Sequence, residues 1–124
     1  MDLIQAVQGR DKVGVAASLK AGNDANVVDA HGMTALMHAV ALKNIELVKL
    51  LIEAKADVDH QDLLGQTALM LAAGRNFLGA VKQLIAARAD LTKVAKSRIT
   101  ALGFAQEKGH TEAAKLLKNA GASS

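Results

Sequence analysis

The sequence repeats itself every 33 residues, and that period constrains the fold more than anything else in it. Gly65-Gln66-Thr67-Ala68-Leu69-Met70-Leu71-Ala72-Ala73 follows Gly32-Met33-Thr34-Ala35-Leu36-Met37-His38-Ala39-Val40 by 33 residues and precedes Arg98-Ile99-Thr100-Ala101-Leu102-Gly103-Phe104-Ala105-Gln106 by the same interval. One period earlier, Leu3 and Ala6 occupy the leucine and alanine columns and Met1 the threonine column. Each copy reads as a tight turn running into a small-residue helix. Thr67 is placed to cap that helix through its hydroxyl, Leu69 to enter a core, and Ala72 to admit a neighbouring helix closely. Self-similarity at this period marks a stacked array, in which each unit buries its apolar face only against the next copy.

Each period holds two helices. The second helix of residues 29–61, Ile45-Glu46-Leu47-Val48-Lys49-Leu50-Leu51-Ile52-Glu53-Ala54, carries Leu47, Val48, Leu51 and Ile52 on one stripe. Glu46 favours its start by charge, and Lys49 with Glu53 is an i, i+4 pair in the weaker order. The pattern predicts helices near 12–21, 35–42, 45–54, 68–75, 78–87, 101–108 and 111–119, in units of about 1–28, 29–61, 62–94 and 95–124. Gly74 and Asn76 lie around one break between helices, and Gly109 and Gly121 end the last two. The second-helix core columns run Ser18, Leu51, Leu84, Leu117 and Val15, Val48, Val81, Ala114. The first and last units are more polar, as the ends of a stack should be. The expected architecture is a single all-α domain, residues 1–124, of four stacked helix-turn-helix repeats with hairpin-like connecting loops.

Composition agrees and narrows the functional classes. Half of the 124 residues are apolar, yet Phe77 and Phe104 are the only aromatics, so the core must be aliphatic and alanine-rich. A net charge of +3 is too small to name a partner. With no cysteine there is no thiolate zinc site, disulfide or cysteine nucleophile. No apolar run approaches the roughly 18 residues that span a bilayer. No signal peptide is visible, since Met1-Asp2-Leu3-Ile4-Gln5 already lies in the repeat pattern; the first repeat is a half-open cap or has lost a leader.

These residues resemble the ankyrin repeat. Asp29, Gly32, Thr34, Leu36 and Ala39 match its turn and first helix, as do Asp62, Gly65, Thr67, Leu69, Ala72 and Ala73. Gly109-His110-Thr111-Glu112 with Lys115-Leu116-Leu117 matches its second helix, and Ala56-Asp57-Val58-Asp59 and Ala89-Asp90-Leu91-Thr92 its closing segment. The family's proline is Ala35, Ala68 and Ala101 here, its histidine Met37, Met70 and Gly103. Ala95 and Arg98 replace the aspartate and glycine of the third turn and should weaken it. Thr-Ala-Leu-Met is similar to bacterial members, leaving a bacterial cytoplasm, or a periplasm if a leader was removed before Met1.

The resemblance implies an ankyrin repeat solenoid that binds other proteins through hairpin tips and the exposed side of the first helices. Carried over by position, the first tip offers Val28, Ala30, His31 and Met33, the second Gln61, Leu63, Leu64 and Gln66, the third Val94, Lys96, Ser97 and Ile99. The helices offer Ala41, Leu42, Gly74, Arg75, Glu107 and Lys108. Leu63 and Leu64 beside Met33, Val94 and Ile99 make an apolar row where a turn tip is normally polar, which marks a partner surface unless either leucine folds back onto its neighbouring tip. Lys93, Lys96, Arg98 and Arg75 at the same edge would steer an acidic partner or form a solvated surface.

Other chemistry is disfavoured. No aromatic platform accompanies the lysines, so nucleic-acid binding is not expected. The histidines, His31, His38, His60 and His110, show no metal-ligand spacing, and His110 matches a structural family position. Asp57, Asp59 and Asp90 are expected to bond turn backbone. There is no phosphate loop, dinucleotide motif or nucleophile elbow. The expected protein is thus non-catalytic, without cofactor or metal, a monomer when free, that binds another folded protein. The resemblance to small bacterial ankyrin proteins implies an inhibitor or protector, such as an immunity-type inhibitor of a cell-wall peptidase in the cell envelope. The alternative is a structural adaptor bridging two proteins.

Overall fold

The structure, a computed structural model, describes residues 2–123. It holds eight short helices among the described residues: α1 (Leu3–Gln8), α2 (Lys12–Lys20), α3 (Ala35–Ala41), α4 (Ile45–Glu53), α5 (Ala68–Gly74), α6 (Leu78–Ala86), α7 (Ala101–Glu107) and α8 (Thr111–Asn119). Helices α1, α3, α5 and α7 stack as one layer, α2, α4, α6 and α8 as a second, and each first helix packs on the second helix of its own pair. No helix exceeds nine residues. Isolated helices that short are unstable in water, so the stacking holds them.

The threonine column caps the first helices. Thr34, Thr67 and Thr100 accept at Oγ1 from the N–H groups of Met37, Met70 and Gly103, at 3.2, 3.2 and 3.1 Å. Met1, placed in that column by the period, lies outside the described residues. Asp2, one position later, caps α1 and accepts from Gln5 N–H at 2.8 Å.

The helices end up to one residue earlier than the pattern predicts. At each such end the cap residue is followed by a left-handed residue, whose N–H and that of its successor bond back to the last-turn carbonyls. Lys55 (φ 66°) donates to Ile52 O and Ala56 to Leu51 O, at 3.0 and 3.1 Å. Asn76 (φ 55°) takes this role between α5 and α6, while Gly74 stays helical.

The aliphatic core is continuous from Leu3 to Leu117. Leu51, Leu84 and Leu117 are each fully buried, a contribution of about 2–3 kcal/mol apiece. Ser18, in the same column, is half-buried and accepts from Asn23 Nδ2 at 3.1 Å. The expected Lys49–Glu53 pair does not form. Glu46 instead meets Lys12 across α2 and α4 at 3.2 Å, both side chains being well exposed, where an ion pair contributes little.

Candidate functional site

Three hairpin tips, residues 29–33, 62–66 and 95–99, project from the stack. In the first, one carboxylate oxygen of Asp29 accepts from His31 and Met33 N–H at 2.9 and 3.0 Å. In the second, Asp62 accepts from Leu64 and Gln66 N–H at 3.0 and 2.8 Å. Gly32 and Gly65 close these turns with φ of 76° and 77°. The third tip has neither device, because Ala95 holds no acceptor and Arg98 is driven to φ 67°. It nevertheless closes, with Ala95 N–H donating to Ile99 O at 3.0 Å and Arg98 N–H to Ala95 O at 2.8 Å.

The tips are tied edge to edge. Leu63 N–H donates to His31 O at 3.1 Å and Lys96 N–H to Leu64 O at 3.0 Å. His60 Nε2 bonds Gly32 O at 2.8 Å, and Gln61 Nε2 donates to Gly65 O and Val94 O at 2.9 and 3.0 Å. Behind them, Asp57 N–H donates to Asn26 Oδ1 and Asp90 N–H to Asp59 Oδ1, both at 2.7 Å. The carboxylates of the closing segments also serve backbone, as expected of them, Asp57 accepting from Asp59 N–H at 2.9 Å, Asp59 from Asp90 N–H, and Asp90 from Thr92 N–H at 2.8 Å. A surface so cross-linked has little conformational freedom left to lose.

The structure divides the apolar tip residues into two sets. Leu63 and Leu64 are 60% and 63% exposed, with Val28 and Val94 near half. Met33 is half-buried and packs on the core. Ile99 is half-buried too, its Cγ2 only 2.7 Å from where a Cβ on Gly103 would stand, so it fills the space that Met37 and Met70 fill in the other copies. The apolar row is thus carried by the outward leucines and valines, while Met33 and Ile99 turn inward. Leu63 also leans toward the neighbouring tip, its Cγ 3.4 Å from the position a Cβ on Gly32 would take.

Below the second and third tips runs a groove of about 350 Å³ between α5 and α7, lined by Gln66, Met70, Leu71, Gly74, Arg75, Phe104 and Lys108. It brings together four residues expected from sequence, Gln66, Gly74, Arg75 and Lys108. Its apolar lining, Leu71 and Phe104, carries no mark in the sequence beyond sharing one column with His38, and both are half-buried. Gly74 leaves the groove open, since a Cβ on it would stand 4.0 Å from Phe104 Cβ. Leu42 ends α3 and packs against the core, whereas His31, Lys96, Glu107 and Lys108 are exposed.

His38 Nε2 lies 2.7 Å from Asp29 Oδ2, a pair the sequence did not announce. Burial pushes the Asp29 carboxyl up, but bonds from Met33 N–H, the His38 ring and His31 N–H outweigh it and hold its pKa below the usual carboxylate value. Asp90 is likewise lowered, by Thr92 donating from its hydroxyl and its N–H. His110 Nδ1 bonds Ala73 O at 3.0 Å, joining α8's start to α5. No three metal-ligating side chains converge among the described residues, and none of the described helices is long and apolar enough to cross a membrane.

A family model described as ankyrin repeats (3 copies) matches residues 3–95. No curated protein matches the chain. The helix pair α7–α8 lies beyond that match and continues the same two layers.

Proposed function

Because the chain belongs to the ankyrin repeat family, and is thereby a protein–protein interaction module, we propose that residues 1–124 act as one non-catalytic unit. It docks its tips and inner groove on a folded partner and blocks that partner's surface. The observation that carries this reading is the pair Leu63–Leu64, held outward on a tip whose backbone is bonded to both neighbouring tips. Two exposed leucines on a fixed ledge supply apolar area to a partner at low ordering cost. A rigid module with one such face acts by occlusion, as an inhibitor or a protector. The immunity-type inhibitor of a bacterial cell-wall peptidase is the case the family resemblance favours.

The test is paired affinity capture from lysate and envelope fractions with the parent chain and a Leu63→Asp/Leu64→Asp variant of matched thermal unfolding. A partner held by the parent and lost by the variant supports the tip surface. Equal capture by both removes it.

One observation favours the adaptor reading. Val13 is 80% exposed on the outer side of α2, beside Ala16 and Ala17, where the second and fourth repeats place Glu46 with Lys49 and Glu112 with Lys115, and the third Gly79 with Lys82. If that side holds a second protein, Val13→Asp/Ala17→Asp loses it and leaves the tip-bound partner in place.

A further inference from the structure

Charge is divided unevenly along the stack. Residues 1–61 carry eight carboxylates and six Lys or Arg, while residues 62–124 carry four carboxylates and nine Lys or Arg. Among the described residues, the only ion pair in this second half joins Lys115 to Glu112 at 3.7 Å, on the outer side of α8. Arg75 and Lys108, at the ends of α5 and α7, therefore flank the groove with no carboxylate in bonding range, and Lys96 lies exposed at the tip above. Glu107, the one carboxylate beside them, is exposed and makes no ion pair among the described residues. One turn before each cation the lining is apolar, Leu71 before Arg75 and Phe104 before Lys108, and Gly74 keeps the groove open.

From this arrangement we infer that the groove between α5 and α7 takes an acidic segment of the partner protein, anchored by one leucine or aromatic side chain. The inference rests on the protein-binding reading above and adds the partner's chemistry. The anchor seats on Leu71 and Phe104, where its apolar surface leaves water, and carboxylates next to it in the segment meet Arg75 and Lys108 at the helix ends. Exposed charges add little strength singly but select strongly by sign, because a like charge in the same place is repelled. Affinity is thus set by the anchor and selectivity by the flanking carboxylates.

The probes are three synthetic peptides with the same Leu and Phe positions, whose remaining positions are Glu, Gln or Lys, and a single-stranded oligonucleotide. Each is titrated into the nitrogen-15-labelled chain. The Glu peptide is expected to bind about tenfold or more tighter than the Lys peptide. It should shift the amides of Leu71, Gly74, Arg75, Phe104 and Lys108, and weaken as salt shortens the screening length from about 30 Å to about 8 Å. In Arg75→Glu/Lys108→Glu the preference should invert toward the Lys peptide, a gain that a misfolded variant cannot show. Equal binding of the Glu and Lys peptides, no binding of the Glu peptide, or tighter binding of the oligonucleotide overturns the inference. Shifts confined to residues 61–66 overturn the groove assignment while sparing the tip surface. Loss of the tip surface would instead appear as equal capture by the Leu63/Leu64 pair of baits.

Discussion

The second and third tips have the same backbone shape and the same two internal backbone bonds, but not the same residues to support them. Those bonds run from Asp62 N–H to Gln66 O and Gly65 N–H to Asp62 O in one, and from Ala95 N–H to Ile99 O and Arg98 N–H to Ala95 O in the other. In the second, Asp62 collects two N–H groups and Gly65 occupies the left-handed corner. In the third, Ala95 collects none, and Arg98 sits in that corner at φ 67°, where a Cβ costs about 1–2 kcal/mol. The third tip still closes, and Lys96 N–H still reaches Leu64 O at 3.0 Å. With no side-chain acceptor of its own, it rests on its two backbone bonds and on the tip beside it. A repeat array permits this, since each unit's geometry is shared with its neighbours.

The largest test of that view is Gly65→Ala. A Cβ there would stand 2.9 Å from Lys96 N and 3.2 Å from Ala95 Cα, backbone of the dependent tip, and φ is already left-handed. The expected loss is about 3 kcal/mol, from conformational strain plus the displaced backbone. Gly109→Ala, also left-handed at 73° but with nothing within 4 Å, is the control and should lose about 1 kcal/mol. Urea midpoints at unchanged slope measure both. Equal losses would show that contact between the tips does not govern them.

A smaller effect is expected from exchanging the tips' own devices. Asp62→Ala removes two backbone acceptor bonds and should cost about 1–2 kcal/mol. Arg98→Gly relieves strain and should gain about 1 kcal/mol. The gain should be greater in a Gly65→Ala background, where the neighbouring template is damaged. Strict additivity would mean that the two tips are independent.

The helix pairs and the core were legible in the sequence because a fixed period assigns each residue to an environment that recurs. Thr67 caps and Leu84 is buried for the reason Thr34 caps and Leu51 is buried. What escaped lies between repeats. Gln61 reads as a free polar tip residue, yet both bonds from its Nε2 go to carbonyls of the second tip and of the strap before the third. Ile99 reads as exposed for its place in a tip, yet the absence of a side chain at Gly103 draws it inward. Leu71 and Phe104 form a floor only because two helices 33 residues apart stand side by side. Periodicity tells which residues are equivalent, whereas the groove depends on which unlike residues meet.

The smallest expected effect separates the first tip from the third by acid. Asp29's carboxylate holds the first tip and bonds His38, and its pKa is depressed in the folded chain by the N–H groups it accepts from. A carboxyl depressed on folding contributes stability that is fully present above its unfolded value of about 3.9 and fades as pH falls through the folded value. Asp29→Asn should therefore be less stable than the parent at neutral pH, and the two should converge once Asp29 is protonated. Hydrogen-exchange protection, corrected for intrinsic rate, locates the change. His31 and Met33 amides should lose protection over that acid range, while Lys96, whose partner is the Leu64 carbonyl, should keep it as long as the second tip stands. Parallel stability curves for the parent and Asp29→Asn through acid would place the holding force of the first tip in its neighbours too. The third tip would then be the rule in this stack, and the aspartates a local refinement of it.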